Sequence, residues 1–103
     1  IEKLFFNSNQ KTAIQVAEAR GVILLAAQKA GVSISEYTPL QVKQAVTGYG
    51  QAQKPQVMEM TKRLLCLTQM PKLDDTCDAL AMAICHGQAA GSMLRRTMLS
   101  GRM

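Results

Sequence analysis

The chain has 103 residues, 48% of them hydrophobic and 18% charged, which suits one globular domain at most and excludes a disordered polymer. No apolar run reaches the roughly 18–20 residues of a membrane span, no secretory signal pattern opens the chain, and three unframed cysteines indicate a reducing, cytoplasmic setting. The formal charge is +5 despite an acidic cluster at 74–78, so basic groups dominate elsewhere, as a partner of polyanions requires.

Ile1 to Phe6 reads as a strand running into a loop at Asn7–Asn9. Its first residue is Ile rather than Met and falls inside that strand-like run, as in a fragment or processed chain. Gln10 to Ala30 follows a helical period, with Ile14, Ala17, Gly21 or Val22, and Leu25 on one face and Gly31 as the stop. Gly21 inside this helix costs about 1 kcal/mol against Ala and is expected to permit a close backbone approach.

Val32 and Ile34 alternate with small polar residues up to Tyr37, the pattern of a half-buried second strand. Thr38-Pro39-Leu40-Gln41 then carries every signal of a helix start: a capping Thr, Pro in the first turn and Gln closing a capping box. This helix is expected to end near Thr47, before Gly48-Tyr49-Gly50. A third helix is predicted over Pro55–Leu67, with Val57, Met60, Leu64 and Leu67 apolar, and a loop with Pro71 precedes a fourth. A main body over 1–91 and a basic tail over 92–103, holding Arg95, Arg96 and Arg102 and read as either a helical extension or disordered, complete the layout. Strand, helix, strand implies a right-handed crossover between two parallel strands, and two strands alone make no stable sheet.

The fourth helix opens with LDDTCDALAMAICH, Leu73 to His86. Asp75 and Asp78 are i and i+3 neighbours, so their carboxylates share a helical face, and paired carboxylate oxygens are what a hard cation such as Mg²⁺ takes. The competing reading is that Asp74 and Asp75 only cap the helix and complement its positive end. His86 falls on the same stripe as Asp75 but about 16 Å along the axis, which removes it from a shared metal. Cys77 joins Leu80, Ala81 and Ile84 on the expected buried face. Cys77 and Cys85 lie about 12 Å apart along one helix, too far for a disulfide, and the cysteines are read as small core residues.

Glu2 is a third carboxylate of interest, on a strand of an expected parallel sheet, where ligand sites gather beyond the carboxyl ends; the alternative is an ordinary solvent-facing glutamate. Lys43 and Lys54 bracket the Gly48–Gly50 loop and either follow a phosphate backbone or merely solvate the surface. Phe5 and Phe6 are either core or a stacking platform for an unpaired base.

Taken in order, these segments resemble the RuvC family, the bacterial Holliday junction resolvases. Ile1-Glu2-Lys3-Leu4-Phe5 is similar to the strand carrying the family's second catalytic carboxylate, and Ala19-Arg20-Gly21-Val22 to its long-helix motif. Tyr37-Thr38-Pro39 and Val42-Lys43-Gln44-Ala45-Val46-Thr47-Gly48 resemble the next strand and helix, and residues 50–54 the basic loop. Asp75-x-x-Asp78-Ala79-Leu80-Ala81 with Ala83-Ile84-Cys85-His86 resembles the closing helix.

The resemblance implies an α/β, ribonuclease-H-like fold, here a truncated piece with two parallel strands and about four helices. It implies a homodimeric, Mg²⁺-dependent endonuclease, with Mn²⁺ as a substitute, that nicks four-way DNA junctions symmetrically in recombination and repair. Glu2, Asp75 and Asp78 become metal ligands and catalytic groups, Phe5 a neighbour of unstacked bases, and Lys43 and Lys54 DNA contacts. The helix over 10–30 becomes part of the dimer contact, and RuvA and RuvB become partners. The family's Gly-x-Asp-Pro-Gly strand, which carries its first catalytic aspartate, has no match in the sequence. The 103 residues alone are therefore expected to be inactive. The rival functions are a non-catalytic helical module that binds nucleic acid or dimerises, and a capped helical domain with no site.

Overall fold

Thr38 starts a helix by the means its sequence suggests. In the computed structural model, which describes residues 1–3 and 10–100, Gln41 N donates to Thr38 Oγ1 at 3.1 Å and Thr38 N to Gln41 Oε1 at 2.8 Å, a reciprocal capping box. This helix is the second of four: α1 (Gln10–Lys29), α2 (Pro39–Thr47), α3 (Lys54–Leu64) and α4 (Asp74–Ser100). The chain forms two compact units, Ile1–Glu36 and Tyr37–Met103.

In the second unit α2, α3 and α4 pack on one another. Val42 and Val46, one turn apart on α2, are buried with Ala81 and Cys85, one turn apart on α4. Two small α4 residues let the helices approach, and each buried valine contributes about 1.5–3 kcal/mol of apolar transfer. Cys77 is buried too, as the sequence predicts, and its thiol donates to Pro71 O at 3.4 Å. Thr61 is 1% exposed in α3, and its hydroxyl donates to Val57 O at 2.7 Å, so burial leaves no unpaired oxygen there. Gly50 lies against α2, where an added Cβ would come within 3.1 Å of Leu40 Cγ.

Two helix ends show how far a pattern can be read. Gly48 has φ +81° and its N–H donates to Gln44 O at 2.7 Å, the glycine-closed end that the sequence marks. By contrast α3 stops at Leu64 rather than Leu67. Cys66 N donates to Arg63 O and Leu67 N to Lys62 O, with Cys66 at φ +55°. That is a Schellman end with cysteine where glycine is usual, so composition gave no sign of it. Cys66 is also exposed, which corrects its reading as a core residue. At the other extreme α4 continues through Gly87 and Gly91 to Ser100.

The first unit holds α1, whose end matches expectation: Gly31 N donates to Gln28 O and Val32 N to Ala27 O, with Gly31 at φ +70°. Its buried face does not match. The half-buried residues are Ala13, Ala17, Arg20, Leu24 and Ala27, whereas Ile14 is 59% and Val22 69% exposed and Leu25 is exposed too. Among the described residues nothing lies within 4 Å of a Cβ built on Gly21, so the expected close approach is not made there.

The two parallel strands are likewise not formed among the described residues. Glu2 and Tyr37 are isolated bridge positions, residues 32–36 carry no regular structure, and Leu4 to Phe6 lie outside the described residues. The Ile1 nitrogen donates to Ser35 O at 2.9 Å, but one rung is not a ladder, and short segments without further neighbours leave too many groups to water to count as strands. Instead the Arg20 side chain ties this unit: its Nε reaches Glu2 O at 3.5 Å, and its Nη2 pairs with the Glu36 carboxylate.

Candidate metal and nucleic-acid site

Helix α4 begins at Asp74, and Cys77 N donates to Leu73 O at 3.3 Å in its first turn. Asp74 and Asp75 therefore sit where backbone N–H groups point outward and negative charge is stabilised. Asp75 and Asp78 are both exposed, one turn apart, while Cys77, Ala81 and Cys85 bury the helix against its neighbours. A rigid helix end thus presents two carboxylates to solvent. Their all-oxygen chemistry fits a hard divalent cation of the Mg²⁺ type and disfavours soft metals. Glu2 is exposed as well, in the other unit. Among the described residues no three His, Cys, Asp or Glu side chains gather into a metal-holding group.

Lys54, the first residue of α3, points its ammonium at this helix end. Its Nζ lies 3.2 Å from Asp74 Oδ2 and 3.9 Å from Asp78 Oδ1. The hydrogen bond to Asp74 is the main reason its pKa rises above the usual lysine value, with the Asp74 and Asp78 charges adding and desolvation opposing. Asp74 thus spends its carboxylate on Lys54, which sequence spacing could not reveal across twenty residues. Beside this pair a shallow groove of about 510 Å³ is lined by Lys54, Met58, Lys62, Met70 and Asp74. Lys43 is half-buried on α2, and its carbonyl accepts from Thr47 Oγ1 at 2.7 Å. Phe5 lies outside the described residues, as do the side chains of Arg95 and Arg96.

His86 is exposed and has a definite neighbour: Tyr37 Oη is 2.8 Å from its Nδ1, with the rings edge-on at 5.8 Å. Arg20 is the residue that pattern reading left without a role. The available signal was a cation at the centre of an otherwise apolar stripe, since a half-buried guanidinium needs partners.

Comparison with known proteins identifies the family of the chain. The solved structure of Thermus thermophilus RuvC superposes with a TM-score of 0.80 at 40% sequence identity, covering 88% of this chain and 55% of that one. T. thermophilus RuvC in complex with Holliday junction substrate superposes with a TM-score of 0.81 at 40% identity, covering 86% of this chain and 54% of that one. These neighbours set the class of scaffold as that of a ribonuclease-H-like nuclease. The family model for crossover junction endodeoxyribonuclease RuvC matches residues 1–86. The RuvC of Halothermothrix orenii is 64% identical over 89 residues, covering 86% of this chain and 54% of that protein. The RuvC of Moorella thermoacetica is 53% identical over 102 residues, covering 99% of this chain and 61% of that protein. The chain belongs to the RuvC family, and it spans about half the length of the curated relatives it matches.

Proposed function

We propose that the protein carrying this segment is a Mg²⁺-dependent endonuclease that resolves four-way DNA junctions by paired nicks in recombination and repair, with Mn²⁺ able to substitute. The carrying observation is the exposed Asp75–Asp78 pair at the rigid start of α4, in a chain whose family match runs over residues 1–86. Asp75 and Asp78, with Glu2, are the residues that would hold the metal. A divalent cation bound there supplies charge neutralisation at the scissile phosphate and activation of the attacking water.

The chain's own groups bind and orient. Lys43 and Lys54 contact the DNA backbone, each adding about one unit to the salt dependence of binding. Lys54 reaches a phosphate by leaving Asp74, which also withdraws its ammonium from Asp78. Phe5 stacks near unpaired bases. The exposed Ile14, Val22, Ile23 and Leu25 of α1 support a homodimer built on this helix, since so much apolar surface on one element favours burial by a second copy. RuvA and RuvB as partners, and a cytoplasmic location, rest on the family and on the free thiols. The 103 residues alone should not cleave, because they hold three of the family's four catalytic carboxylates and lack the Gly-x-Asp-Pro-Gly strand.

The test is nicking of a synthetic four-way junction by the full-length protein with Mg²⁺. Asp75→Asn and Asp78→Asn should abolish cleavage and leave junction binding. Normal function after both changes, with its loss after Lys43→Ala or Lys54→Ala, would favour the non-catalytic binding module.

A further inference from the structure

We propose that Arg20 is a positioning residue for Glu2, fixing the backbone from which that carboxylate projects and so setting how well the metal is held. This rests on the reading of Glu2 as a metal ligand. The side chain of Arg20 leaves the middle of α1 and is only 19% exposed, against 45% for its partner Glu36. One nitrogen, Nε, points at the main-chain oxygen of Glu2 itself at 3.5 Å, and another, Nη2, holds the Glu36 carboxylate. Three separate stretches of the first unit therefore meet on one guanidinium: the Glu2 segment, the centre of α1 and the residue before Tyr37.

The Glu2 segment needs such a clamp. Beyond a single bridge position at Glu2 it forms no strand with residues 32–36, and the Ile1 nitrogen adds one hydrogen bond to Ser35 O at 2.9 Å. A ligand carboxylate on a loosely held main chain samples many directions, and each lost alignment weakens a cation that demands fixed oxygen geometry. A guanidinium suits the task because its planar fork donates to a carbonyl and a carboxylate at once, which an ammonium on a flexible stem does poorly. Glu36 has a second effect. It neutralises Arg20, so the clamp places no unpaired positive charge beside the proposed metal ligand.

A mere structural staple would hold the unit together without touching metal affinity. The experiment uses the full-length protein and Mn²⁺ as the probe, with affinity read from the EPR signal of free Mn²⁺. Folding is followed by thermal unfolding. Arg20→Lys is expected to leave the unfolding midpoint nearly unchanged and to weaken Mn²⁺ binding about tenfold, the lower end for groups that orient a metal ligand. In a Glu2→Gln background the same change should alter Mn²⁺ affinity by less than about twofold, because the residue being positioned no longer binds metal. Glu36→Gln keeps the side-chain shape and should weaken Mn²⁺ in the same direction, again only when Glu2 is present; it serves if Arg20→Lys does not fold. Unchanged Mn²⁺ affinity in the folded Arg20 or Glu36 variant overturns the proposal, as does an equal loss with and without Glu2. If Glu2→Gln itself leaves Mn²⁺ affinity unchanged, the metal-site reading fails and the role of Arg20 fails with it.

Discussion

Residues 1–36 and residues 37–100 use apolar side chains in opposite ways. In the second unit Val42, Val46, Ala81 and Cys85 form a buried cluster across two helices, and Ala52, Thr61 and Cys77 are buried beside it. In the first unit no described residue is buried, and Ile14, Val16, Val22, Ile23 and Leu25 of α1 are exposed, with Leu24 half-buried. The second unit buries a cluster of its own although Leu40, Leu64, Leu65, Leu73 and Met98 stay exposed, while the first presents a surface suited to being covered. A helix as apolar as α1 is built for contact.

The largest expected effect tests whether site and core are separable within the second unit. Asp78 is exposed while Cys77 next to it is buried. Asp78→Asn should therefore lower junction cleavage by the full-length protein on the order of 10³-fold with the unfolding midpoint held. A matching loss of stability would mean that Asp78 serves the fold rather than the chemistry.

Next in size is the contrast in packing. Val46 is 3% exposed, so Val46→Ala should cost about 1.5–2.5 kcal/mol in denaturant unfolding, from lost transfer plus cavity. Ile23→Ala on α1 should cost under about 0.5 kcal/mol at dilutions where the chain is monomeric, and more where it self-associates. Equal costs in the monomer would erase the distinction between the units.

How much of this was legible depended on whether the signal was local. The second helix was readable in full because Thr38, Pro39, Gln41 and Gly48 each act within one turn of themselves. The end of α3 was not, because Cys66 takes a glycine's conformation. The strands failed for a different reason. Alternation at Val32 and Ile34 describes a preference to be half-buried, and a preference becomes a strand only when ladder partners are present. In the candidate site, Asp75 and Asp78 could be paired by helical spacing, whereas Lys54–Asp74 and Arg20–Glu36 join residues far apart in sequence. Only the fold brings those pairs together.

A smaller effect separates local from tertiary support. Thr38→Ala removes the half of the capping box that Thr38 Oγ1 accepts, keeps the backbone N–H donated to Gln41 Oε1, and should destabilise the second unit by about 1 kcal/mol. The loss should leave Mn²⁺ affinity untouched, read by the same EPR titration, because the cap lies at α2 while the carboxylates are carried by α4.

The smallest effect compares two ion pairs, Arg20–Glu36 in the first unit and Lys54–Asp74 in the second. Lys54 has its pKa raised above the ordinary 10.5 by its hydrogen bond to Asp74. A cation so raised contributes its full stabilisation below pH 10.5, and the contribution disappears as pH climbs through the folded value. Arg20 pairs with Glu36 through a guanidinium rather than an ammonium, so that pair should persist. An alkaline NMR titration following the Asp74 and Glu36 carboxyl carbons should show the Asp74 signal moving as Lys54 deprotonates, with no such step at Glu36. Asp74→Asn should return the Lys54 titration toward 10.5. An alkaline step at Glu36 would mean that the Arg20 fork opens, and the clamp on the Glu2 segment would then be weaker than its geometry indicates.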